Sequence, residues 1–81
     1  MEKIGKVVSF FAHLSVAAIE ITNGTLKIGD NIRIEGHTTN FEQVVESMQI
    51  EHKSIQEAKV GDDVGLKVKE RVRHNDIIYK L

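Results

Sequence analysis

Turn-forming residues break this 81-residue chain at short intervals: Asn23-Gly24, Gly29-Asp30, Gly61-Asp62 and Asn75-Asp76. The stretches between them are rich in Val, Ile and Phe, residues that suit a pleated, half-buried surface better than a helix. Ile4 to Ala12 and Val16 to Thr22 read as two opening strands, and Asn23-Gly24 after them is the strongest short hairpin signal. In Asn31-Ile32-Arg33-Ile34-Glu35 the two isoleucines face inward and their neighbours face water. Val64, Leu66 and Val68 share one face of a later stretch. Ile77 to Leu81 forms the last strand, behind Asn75, a residue that tolerates the left-handed conformation.

Two segments read less simply. From Phe41 to His52, Val44, Met48 and Ile50 share a face at period two while Val45 lies opposite. A bulged strand and an amphipathic helix both fit, and the spacing favours the strand. Ser54 and Glu57 stand at capping-box spacing, which predicts one short helical turn over 54–58. About six strands joined by tight turns imply an all-β barrel or sandwich over 1–81. A closed barrel is preferred, because the chain has no proline to blunt a free edge.

Lys27-Ile28-Gly29-Asp30-Asn31-Ile32 is echoed by Lys59-Val60-Gly61-Asp62-Asp63-Val64. Two copies are too few for a solenoid. The echo reads as one tight turn used twice: glycine supplies positive φ, aspartate accepts local N–H groups, and the next aliphatic residue enters the core.

The chemistry-bearing residues form no catalytic pattern. Cysteine is absent, so disulfides and thiolate metal sites are excluded. His13, His37, His52 and His74 have no metal-ligand spacing, so neither metal nor cofactor is expected. His37-Thr38-Thr39 reads as a solvated loop, and Glu42 and Glu46 as surface carboxylates. There is no phosphate loop, so Asp62-Asp63-Val64-Gly65 is not a GTPase signature and no nucleotide is expected. No stretch approaches the roughly 18 apolar residues of a membrane span. Met1 to Lys6 has no signal-peptide character, so a cytoplasmic location is expected.

One electrostatic feature stands out in a chain whose net charge is only −1. Lys67, Lys69, Arg71 and Arg73 alternate with Val68 and Val72, which turn inward. Such a stripe can hold a phosphate backbone, or it can be a solvated edge guarded by lysine. No aromatic residue is interleaved with it to stack on bases. Phe10 and Phe11 are adjacent, so in a strand one points outward.

Ile21 to Ile32 resembles the hairpin of domain 2 of the translational GTPases, the barrel that follows the G domain in elongation factor Tu. The likeness continues through Val45 to Gln49 and Glu57 to Leu66, and ends in Asn75-Asp76-Ile77-Ile78. It covers nearly the whole chain and implies a six-stranded Greek-key-like barrel, similar to small stand-alone elongation factor-like domains. Similar barrels also occur as C-terminal appendages of collagenase-like peptidases. The G domain is missing, so the resemblance implies no GTPase activity. It implies a non-catalytic, translation-associated binding module contacting RNA, the ribosome or a translation protein, with Lys67, Lys69, Arg71 and Arg73 as the candidate contacts. The alternative is a protein-docking module serving a partner enzyme.

Overall fold

The computed structural model describes all residues, Met1–Leu81, and contains no helix. The strands are β1 (Glu2–Phe11), β2 (Val16–Ile21), β3 (Thr25–Lys27), β4 (Asn31–Glu35), β5 (Asn40–Val44), β6 (Met48–Ile50), β7 (Lys53–Ile55), β8 (Glu57–Lys59), β9 (Asp63–Lys67) and β10 (Ile77–Lys80). Eight of them form one antiparallel sheet in the order β5-β4-β10-β1-β2-β9-β6-β7, and β3 pairs with β8 in a second small sheet. The large sheet curls through half a barrel rather than closing on itself, since its edge strands β5 and β7 are not paired to each other. The expected all-β barrel architecture is therefore present, built from ten short strands where six longer ones were expected.

Seventeen buried residues form one core, including Ile4, Ile19, Ile34, Leu66 and Ile78 from the large sheet and Leu26 and Ala58 from the small one. Period-two alternation puts them there: β2 buries Ala17, Ile19 and Ile21 and leaves Val16, Ala18 and Glu20 on the outer face. Val64, Leu66, Val68 and Val72 all point inward, as their spacing predicts.

The echoed turn occurs three times. Lys27 N–H donates to the Asp30 carboxylate at 2.8 Å, and Asp30 N–H returns to the Lys27 carbonyl at 3.1 Å. Lys59 and Asp62 repeat both bonds at 2.9 and 3.0 Å. Arg73 and Asp76 make them again at 2.8 and 3.1 Å, in a copy disguised by Arg-His-Asn-Asp. The third residue has φ of 95° at Gly29, 94° at Gly61 and 74° at Asn75. Each turn launches a strand: β4, β9 and β10 respectively. The third copy is the most enclosed, with Asp76 only 4% exposed and packed against Gly36.

Three sequence expectations give way to long-range pairing. Residues 54–58 form no helical turn, because Ser54 pairs with Gln49 in the ladder and Ala58 with Leu26 in the small sheet. Val44 is exposed and Val45 fully buried, the reverse of the expected facing. The chain leaves the ladder after Val44, and Val45 bonds instead to Gly29 and Asp30, so the side-chain parity slips by one before β6. Asn23-Gly24 is a turn with Gly24 at φ 65°, but it does not close a hairpin. Thr22 and Asn23 N–H groups donate to the Ile4 carbonyl, and β3 goes on to pair with distant β8.

Candidate functional site

The four basic residues of the stripe do not lie along one strand. β9 ends at Lys67, and the segment after it runs irregularly to Asp76, pinned by buried Val68 and Val72. Lys67 Nζ donates to the Leu14 carbonyl at 3.1 Å, tying β9 to the β1–β2 hairpin. Gln43 straps the next residues, donating to the Lys67 carbonyl at 2.9 Å and accepting from Lys69 N–H at 2.9 Å. Arg73 Nε donates to Thr38 Oγ1 at 2.8 Å. Arg71 lines an open polar depression of about 500 Å³ with Glu70 and the 36–40 loop, which includes His37. The structure thus brings Arg71 and Arg73 to one loop and sends Lys67 to another hairpin.

The remaining titratable residues are equally dispersed. His74 Nδ1 donates to the Val8 carbonyl at 2.6 Å, while His13 and His52 stand in separate turns. No group of three His, Asp or Glu side chains gathers as metal ligands do.

The apolar surface is more organised. On the outer face of β2, β9 and β6, Ala18 stands opposite Gly65, and Gly65 opposite Gln49. These small residues floor a groove. One wall is the β1–β2 hairpin, carrying Phe11, Leu14 and Val16, and the other is the β6–β7 hairpin, carrying Glu51 and His52. Phe11 is the outward member of its pair, 45% exposed, while Phe10 packs against the core. Leu14 is 53% exposed. The groove comprises two open depressions of about 400 and 680 Å³ that share Leu14, Val16, Gln49 and Gly65.

The backbone around this groove is strained. Only four residues other than glycine have positive φ, and three of them sit on these two hairpins: Ser15 at 55°, Glu51 at 50° and His52 at 66°. Two successive left-handed residues are what a two-residue hairpin of mirror-image geometry requires, and Asn-Gly is its usual occupant. A side chain in that conformation costs about 1 kcal/mol or more per residue. The strand over Val16 to Thr22 is legible in the sequence; the junction of β9 with β6 is not.

Relatives of known description come from a different setting than translation. Over 80 residues, 98% of the chain, it is 50% identical to an uncharacterized protease of Methanocaldococcus jannaschii. Over 78 residues it is 40% identical to a collagenase of Porphyromonas gingivalis. The chain spans about a fifth of the length of these relatives, 19% and 22%. Among solved structures it resembles the C-terminal domain of a Geobacillus thermoleovorans protein assigned as a U32 peptidase. The TM-score is 0.91 at 24% identity, covering 99% of this chain and 92% of that one. The selenomethionine variant of that domain gives 0.92 at 23% identity, covering 99% and 100%. The expected translation-associated role is therefore corrected: kinship with the translational GTPases holds for the barrel, while relatives at 40–50% identity are proteases. Barrel geometry is common to both settings, which is why the motifs alone pointed to the wrong one. The model of elongation factor Tu domain 2 matches residues 15–73, most of the chain, and the chain belongs to that domain family.

Proposed function

We propose that this chain is a non-catalytic accessory domain that docks on the body of a U32-type peptidase, carried on the same polypeptide or on another. The observation that carries the reading is the 50% identity to a portion of a protease about five times longer. The solved domain of similar fold is likewise described as the C-terminal part of a peptidase. The chain's own surface supports a binding role: no metal-ligand cluster forms on it, while exposed Phe11 and Leu14 stand together with Val16 along one groove. No catalytic duty falls to its residues in this reading, and Lys67 and Arg73 serve by tying loops together.

The test is purification of the tagged protein from its own host, followed by mass spectrometry and RNA analysis. A peptidase body, recovered in stoichiometric amount on the same or a second polypeptide, is the expected result. Recovery of ribosomal particles without a peptidase would overturn the reading.

A further inference from the structure

The groove over β2, β9 and β6 has a chemical signature that defines its occupant. Its floor, Ala18 and Gly65, leaves room for an incoming side chain, and Phe11, Leu14 and Val16 offer that side chain an apolar wall. Glu46, Glu51 and Asp63 stand around it, and none of the three makes an ion pair within the chain. The one cation at the rim, Lys67, is already donating to the Leu14 carbonyl. Three unpaired carboxylates beside an apolar slot call for a partner bearing an apolar side chain and neighbouring positive charge. The strain of Ser15, Glu51 and His52 is confined to the two hairpins that wall the slot. Backbone held in costly conformations clusters at ligand clamps, where it aims side chains that a relaxed turn would not.

We infer that this groove seats a basic, apolar-bearing segment of the peptidase body, its apolar side chain over Ala18 and Gly65 and its Lys or Arg toward Glu51 and Asp63. The inference rests on the docking role proposed above and adds the surface and the chemistry of the partner. The length of the relatives supports that choice of occupant. About four-fifths of each lies outside the matched portion, so a segment of the same chain is present at high effective concentration beside the domain.

The experiment is a titration of the isotopically labelled 81-residue chain with synthetic peptides. They tile the M. jannaschii protease outside its matched portion, and backbone amide shifts are followed by NMR. Peptides pairing an apolar residue with Lys or Arg are expected to shift Leu14, Ala18, Gln49 and Gly65. Leu14→Ser is half exposed and leaves the core intact; it is expected to weaken binding about tenfold, the loss typical of a central apolar anchor. Glu51→Gln with Asp63→Asn should weaken it further and flatten its salt dependence. Val60→Ser, an exposed apolar residue outside the groove, should change nothing. Shifts that map to another face overturn the groove assignment and leave the docking role standing. So does a dilution series showing that the groove is covered by a second copy of the chain. If no peptide binds, the groove assignment falls; if no peptidase co-purifies either, both readings fall.

Discussion

Two kinds of tight turn coexist in this small barrel, and they solve the same backbone problem in opposite ways. The three strand-launching turns put glycine or asparagine at the left-handed position and lock it with an aspartate. The two hairpins around the groove put Ser15, Glu51 and His52 in left-handed conformations, with full side chains. The first kind serves the fold and minimises strain; the second keeps side chains where glycine would be cheaper. Turns that build the scaffold and turns that carry a surface are thus distinguished by the residue placed at the left-handed position.

The largest expected effect lies in the enclosed third turn. A Cβ on Gly36 would fall 1.8 Å from Asp76 Oδ1, so Gly36→Ala must displace a buried carboxylate. Urea unfolding should show a loss of about 3 kcal/mol or more. Asp76→Ala, which removes a buried carboxylate and leaves the part-buried Arg73 N–H without its acceptor, should cost about 2 kcal/mol. Asp30→Ala and Asp62→Ala remove the same bond from half-buried turns and should cost about 1 kcal/mol each. Equal losses at all three aspartates would break the argument that burial sets the rank.

Backbone strain predicts a change of sign between the two kinds of turn. Nothing lies within 4 Å of a Cβ added to Gly29 or Gly61, so alanine there meets only the cost of positive φ. Each substitution should destabilise by about 1 kcal/mol. His52→Gly relieves the same strain and should stabilise by about 0.5 kcal/mol, after the added freedom of the unfolded chain is subtracted. A destabilising His52→Gly would show that the β6–β7 hairpin is not strained.

What the sequence made legible follows the range of the interactions involved. The strands and the first two launching turns are local features: alternation in Asn31 to Glu35, and glycine before aspartate. The third launching turn escaped as a copy because Asn75 replaces glycine, although its left-handed character was foreseen. Val45 was misplaced because its burial depends on bonds to Gly29 and Asp30. Residues 54–58 carried a local capping signal that two distant pairings override. The groove was beyond reach for the same reason: its walls come from hairpins far apart in sequence, joined only by the order β2-β9-β6. The basic stripe was plain in sequence, yet alternation could not show that the strand stops at Lys67.

The most direct measurement compares stability and binding in one protein, Glu51→Asn with His52→Gly. This pair gives the β6–β7 hairpin its preferred Asn-Gly turn and removes the carboxylate and the imidazole that this hairpin brings to the groove. Urea midpoint and affinity for a groove-binding basic peptide are read on the same sample. If the strain is held in place for docking, the midpoint rises while peptide affinity falls by about tenfold. A variant that gains stability and binds the peptide as tightly as the parent would contradict the account.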